Sequence, residues 1–304
     1  MRWLAKAAVQ KTIGHLPRGE RVNYVFQRHL LRTLPQTDTG FRQKAQRALE
    51  HLRAYDEHGP GRPLAEAVYF EFGAGWDLAV PLIFAAAGVG RQILVDINPS
   101  ARLELAADSL RKLARQRQSL AQDAGRPLRD LDEPPLRTVD DLRAFGIEYL
   151  APRDARATGL APGSVDFVSS TDTLEHVPRD DLLAILRECR RLLEPSGVLS
   201  SRVDMQDHYS YFDGSVSRYG FLRYPERTWR LFNSPIHYQN RLRYPDYLSL
   251  LDEAGFDVVE QHPSRPDERD LELLRVLPLA PEFRGYEVED LGVKTLRFVA
   301  RPRT

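Results

Sequence analysis

The stretch that most constrains this chain is residues 67–96, AVYFEFGAGWDLAVPLIFAAAGVGRQILVD. An apolar run, Ala67, Val68, Tyr69 and Phe70, ends in Glu71. Gly73 and Gly75 follow, then an apolar segment of helical character, then a second apolar run, Ile93, Leu94 and Val95, closed by Asp96. Strand, glycine turn, helix and strand make the opening unit of a parallel α/β sheet. The two glycines let backbone approach a ligand where a Cβ would clash. Asp96, about twenty residues past the turn, is placed to accept hydrogen bonds from a ribose diol. The unit points to a cofactor that contains a nucleoside.

Two kinds of cofactor fit that outline. A dinucleotide fold requires G-x-G-x-x-G, so that pyrophosphate rests on the helix N-terminus. Here Leu78 holds the third glycine position, and Asp77 would oppose a phosphate at that helix end. Glu71 at the strand tip suits a cofactor carrying an amine better than one carrying two phosphates. Pro81 belongs in a first helical turn, so the helix should begin late in the segment. A nicotinamide-dependent oxidoreductase is therefore the weaker alternative.

The order apolar-apolar-(Asp/Glu)-x-Gly-x-Gly resembles motif I of class I S-adenosylmethionine-dependent methyltransferases, with Asp77 standing where a third glycine often sits. Later segments extend the resemblance over roughly Ala67 to Val203. A third strand is expected at Ile147–Leu150, left by Arg153-Asp154-Ala155-Arg156. Val165, Phe167 and Val168 form a fourth, which runs through Ser169–Thr173 into Leu174-Glu175-His176-Val177. Leu182, Leu183, Leu186, Cys189 and Leu193 then repeat at helical spacing. The turn Glu194-Pro195-Ser196-Gly197 introduces strand five, with Ser196 replacing the glycine usual there. The resemblance implies S-adenosylmethionine as cofactor. It assigns cofactor contacts to Glu71, Gly73, Gly75, Asp96, Ile97, Asp154, Ala155, Thr171 and Asp172. Glu71 and the glycine loop would face the amino-acid end, Asp96 the ribose, and Asp154-Ala155 the adenine.

The expected fold is a Rossmann-like, doubly wound α/β sheet of seven strands with the last antiparallel. An N-terminal helical cap (1–65) precedes the methyltransferase domain (66–304), with residues 204–246 as a lid or substrate insertion after strand five. That insertion is aromatic and aperiodic, including Tyr209, Tyr211, Phe212, Tyr219, Phe221, Tyr224, Trp229 and Phe232, a composition suited to a sugar ring or heterocycle. An ordinary hydrophobic flap reads the same way. His208, just past strand five, is the candidate base, oriented by Asp204 or Asp207. Glu175-His176 most simply braces the loop. A smaller set of related enzymes holds a divalent metal with Glu-x-x-Glu-His, and Asp172, Glu175 and His176 resemble that set, with His208 as a distant fourth ligand. No metal is otherwise assigned.

Helical segments are expected around Leu4–Ile13, Val22–Leu31 and Phe41–Tyr55. They are rich in Arg and Lys, which reads as a solvated basic face, a site for an anionic substrate, or membrane contact through Trp3 and Leu4. Over the whole chain 43 basic residues balance 43 acidic ones, so no global field recruits nucleic acid. One cysteine excludes an internal disulfide and a Cys-based zinc site. No apolar run approaches the roughly twenty residues of a membrane span, and Lys6, Gln10 and Lys11 interrupt what would be a signal peptide. The reading is a cytoplasmic enzyme acting on an O or N atom of a small-molecule acceptor (a sugar, nucleotide sugar or secondary metabolite). It has no nucleic-acid or stable membrane partner and is compatible with a homodimer. A non-catalytic, cofactor-binding partner subunit is the alternative from another class.

Overall fold

The computed structural model describes residues 34–132, 135–234 and 238–303. The first two expected helical segments, with Trp3 and Leu4, lie outside the described residues. The third is helix α1, Asp38–His58, started by Thr37, whose hydroxyl accepts from the Gly40 amide at 3.0 Å.

Strand β1 (Val68–Phe72) is followed by helix α2 (Ala79–Ala87), β2 (Arg91–Val95) and α3 (Leu103–Ala124). At the start of α3 Arg102 holds the N-cap, and the Ser100 and Ala101 amides donate to the Tyr149 hydroxyl at 3.0 and 3.2 Å. Strands β3 (Ile147–Leu150) and β4 (Val165–Thr171), helix α4 (Arg179–Leu192) and strand β5 (Leu193–Asp204) complete the parallel part. The expected turn before β5 is a bulge within it. Pairing jumps from Val165–Leu193 to Phe167–Val198, so Glu194–Gly197 loops out of the ladder. Helices α5 (Glu226–Phe232), α6 (Tyr244–Glu253) and α7 (Glu268–Val276) and strands β6 (Phe256–Pro263) and β7 (Thr295–Pro302) follow.

The seven strands are ordered β3-β2-β1-β4-β5-β7-β6, with β7 antiparallel to both neighbours. Alternate residues of β1 feed opposite faces, as a strand period of two requires. Tyr69 packs with Phe84 and Phe167 on the face covered by α1, α2 and α3, while Phe70 and Phe72 join the leucines of α4 and α6 on the other. Phe41, Ala45, Leu49 and Leu52 of α1 belong to the first of these cores, so this helix packs in one core with the sheet.

Three basic residues of α1 have acidic partners: Arg42 pairs with Asp123, Lys44 with Asp77 and Arg47 with Asp172, while Arg53 is exposed. One expectation needs correction: the insertion's aromatics are not a ligand platform as a group. Tyr219, Phe221 and Trp229 are buried with Leu274, Phe283 and Leu291 in a third core.

Candidate functional site

Strand β1 lies between β2 and β4, whose connections leave in opposite directions, and this is where an open α/β sheet forms a crevice at its carboxyl edge. The loop after β1 has Gly73 and Gly75 in left-handed conformation, at φ +72° and +75°. A Cβ on Gly73 would come within 2.6 Å of the Thr173 methyl, so the glycine is required by its neighbour as well as by its dihedral. Asp77 ends the loop. Its carboxylate accepts from Lys44 Nζ at 2.9 and 3.1 Å and from the Ala79 amide at 3.3 Å, so α1 supplies the charge that offsets this acid.

Glu71 closes β1 inside the protein, 3% exposed, and its Oε2 makes no hydrogen bond among the described residues. Burial pushes its carboxyl up to about 8, countered in part by the Tyr69 hydroxyl and reinforced by Asp96. Asp96 follows β2 and accepts from the Tyr149 hydroxyl at 2.8 Å, while its carbonyl accepts from the Arg153 amide at 2.8 Å. The latter bond draws the Asp154-Ala155 turn alongside Asp96. Ile97 next to it is exposed. The Asp154 carboxylate accepts from Arg156 Nη2 at 2.6 Å and from the Arg156 amide at 2.8 Å, and this guanidinium holds it below the usual carboxylate range. Any contact of Asp154 with a purine amine is made beside that pair. Thr171 turns its hydroxyl to His51 Nε2 at 3.0 Å, and Asp172, at φ +50°, is clamped between Arg47 and Arg202.

At the end of β5, Asp204 accepts from the Tyr211 hydroxyl, and Gln206 Nε2 donates to both groups, at 3.2 and 2.9 Å. His208 Nε2 lies 3.9 Å from the Asp204 carboxylate. Burial and the neighbouring His176 lower the His208 imidazole to about 4, so it is neutral near pH 7. Asp207 is not its orienting partner: its carboxylate caps the turn His208–Tyr211 through the Tyr209 amide at 2.9 Å. Burial raises that carboxyl to about 6.

Glu175, His176 and His208 converge so that one ligand atom from each lies within 4.8 Å of the other two. Asp172, held by its two arginines, is outside this group, a correction to the set suggested by the motif. Burial keeps the Glu175 carboxyl well above its ordinary range, with Asp172 adding to the effect.

Lys44, Arg47, Tyr149, Arg202 and Tyr211 all touch residues of these two clusters and carry no motif. Only the contacts identify them. Tyr149 had a partial signal, lying in the expected third strand near the adenine turn.

Residues 70–201 match the methyltransferase domain family. No protein of curated function matches the sequence. Among solved structures, the chain is similar to 1,6-didemethyltoxoflavin-N1-methyltransferase of Burkholderia thailandensis at 17% identity and TM-score 0.47, over 93% of this chain and 87% of that one. Geranyl diphosphate C-methyltransferase of Streptomyces coelicolor is 14% identical at TM-score 0.44, over 86% and 78% of the two chains. The [4+2]-cyclase SpnF is 13% identical at TM-score 0.46, over 86% and 83%. Structural likeness at this level leaves the reaction and the substrate to the site.

Proposed function

We propose that this chain, whose residues 70–201 carry a class I S-adenosylmethionine-dependent methyltransferase domain, transfers the methyl group to an oxygen or nitrogen atom of a small molecule. The observation that carries the cofactor reading is the crevice at the β1 tip: a buried acid, Glu71, beside a loop held open at Gly73 and Gly75, with Asp96 across from it. Glu71 is suited to a sulfonium cofactor with an ammonium group at its amino-acid end. Asp96 is suited to the ribose hydroxyls, and Ile97 and the Asp154-Ala155 turn to the adenine.

Methyl transfer from a sulfonium is an in-line displacement whose leaving group needs no proton. The protein aligns nucleophile, carbon and sulfur and excludes water. An alcohol or amide acceptor must also lose a proton. Asp204, at the carboxyl end of β5, and His208, in the turn after it, are the proton acceptors of this reading, and Tyr211, half exposed against Asp204, orients the acceptor. The mixture of carboxylate, imidazole and phenol favours a polar ring, such as a sugar or a hydroxylated heterocycle, over a hydrocarbon.

Calorimetric titration with S-adenosylhomocysteine, with NADH as control, tests the cofactor. Micromolar binding of the first and no response to the second is expected; binding of NADH alone overturns the reading. For an acceptor found by screening, Asp204→Asn should lower kcat by about a hundredfold with KM little changed. Unchanged turnover at saturating acceptor would remove Asp204 from the chemistry.

A further inference from the structure

We propose that Glu175, His176 and His208 form a binding site for one divalent first-row transition-metal ion, at the junction between the loop after β4 and the insertion after β5.

Glu175 is 1% exposed, and neither of its carboxylate oxygens makes a hydrogen bond among the described residues. Buried polar atoms are almost always satisfied, and one that is not calls for an ion or water at that point. Protonation does not remove the difficulty, because a neutral carboxylic acid brings an O–H that also needs an acceptor. The groups around these oxygens include two imidazoles, whose ring centroids lie 5.0 Å apart, and the Asp172 and Asp204 carboxylates, whose negative charge adds to that of Glu175. His176 Nδ1 lies 2.7 Å from the Tyr238 carbonyl, which can only accept, so Nδ1 carries the hydrogen and Nε2 the lone pair. That is the second-shell bond that fixes the tautomer of a metal-ligating histidine.

The backbone around the site is also held. The Asn240 amide donates to the Glu175 carbonyl at 2.7 Å, and Asn240 Nδ2 donates to the Leu174 and Val177 carbonyls at 2.9 Å each. Two imidazoles and one carboxylate form a nitrogen-rich set that favours Zn²⁺ or Fe²⁺ over Mg²⁺, Ca²⁺ or Mn²⁺, which prefer oxygen ligands. Coordination occupies His208 and leaves Asp204 as the proton acceptor of the methyl-transfer reading. The site itself does not rest on that reading.

The second His–Glu cluster, Glu57, His58 and Glu260, is a poorer candidate. Its central carboxylate already accepts from Arg297 at 2.8 Å and contacts His58 and His262.

The test is equilibrium dialysis of the chelator-treated full chain against Zn²⁺, with bound metal counted by elemental analysis. One tight equivalent is expected. Glu175→Gln and His208→Gln should each weaken it by at least about tenfold, while Glu260→Gln leaves it unchanged. Excess Mg²⁺ should not displace it. Less than stoichiometric Zn²⁺ on the wild type, or wild-type affinity in Glu175→Gln, overturns the proposal. Melting adds a second readout: Zn²⁺ should raise Tm of the wild type and not of His208→Gln, and equal shifts in both overturn it. S-adenosylhomocysteine titrated into the same metal-free samples separates this site from the cofactor reading, since either can fail alone.

Discussion

At Gly73 a left-handed dihedral and the Thr173 methyl, 2.6 Å from where a Cβ would stand, act on one residue. An alanine in left-handed conformation costs about 1–2 kcal/mol before any clash is counted. The loop of Gly73→Ala should therefore relax away from its ligand-binding shape. S-adenosylhomocysteine affinity is expected to fall roughly tenfold or more, with partial recovery when Thr173→Ser removes the methyl. No loss in the single variant would mean that the loop does not touch the cofactor. Glu71 gives a pH signature. With its carboxyl raised to about 8, the unliganded site is mostly protonated at neutral pH, and the ammonium group of a bound ligand favours the ionised form. Binding should release a proton, and affinity should climb toward about pH 8 and level off above it. Glu71→Gln should flatten that dependence, as measured by calorimetry in buffers of different ionisation enthalpy.

Helix α1 is tied to the sheet by a buried residue as well as by its apolar face. His51 is 1% exposed, with Nδ1 at 2.8 Å from the Ser200 hydroxyl and Nε2 at 3.0 Å from that of Thr171. Burial lowers it from 6.5 to about 3, with Arg297, Arg202 and Arg47 adding to the effect. The folded state thus binds this proton less readily than the unfolded chain. The contribution to stability is full above about pH 6.5 and is lost progressively as pH falls toward 3. Urea unfolding should show that acid loss in the wild type. His51→Asn should be less stable at neutral pH by about 1–3 kcal/mol yet have a shallower acid limb. A parallel acid limb in the variant would assign the loss to other groups. At the same interface Phe41→Ala should cost about 3–5 kcal/mol, because it opens a cavity in the core that α1 shares with β1 and α2.

Across the molecule, the insertion is joined to the end of the sheet through Arg243, fully buried, whose guanidinium donates to the carbonyls of Met205, Leu291 and Val293 at 2.7–2.8 Å. Arg243→Met leaves three buried acceptors unsatisfied. It should lower stability by about 3 kcal/mol or more, with new proteolytic cleavage between residues 204 and 246. Binding of S-adenosylhomocysteine should persist, since the hydrogen bonds of Arg243 go to carbonyls beyond β5 and before β7 rather than to the crevice at β1; its loss would show the two ends of the sheet to be coupled. The apolar runs of β1 and β2, the glycine pair and the closing acids are local patterns, and they determined the strand–turn–helix unit, the sheet class and the place of the crevice. Periods of two and 3.6 and the conformational freedom of glycine act within a few residues, so a linear text records them. The partners of charged groups are set otherwise. Asp77 meets Lys44, Asp172 meets Arg47 and Arg202, and Glu175 meets His208 because α1, β4 and the insertion converge at one edge of the sheet. Tertiary structure alone decided that Asp207 is a cap, that Asp172 stands apart from the histidines, and that most of the insertion's aromatics fill a core, since ion pairing and burial depend on distance in space rather than along the chain.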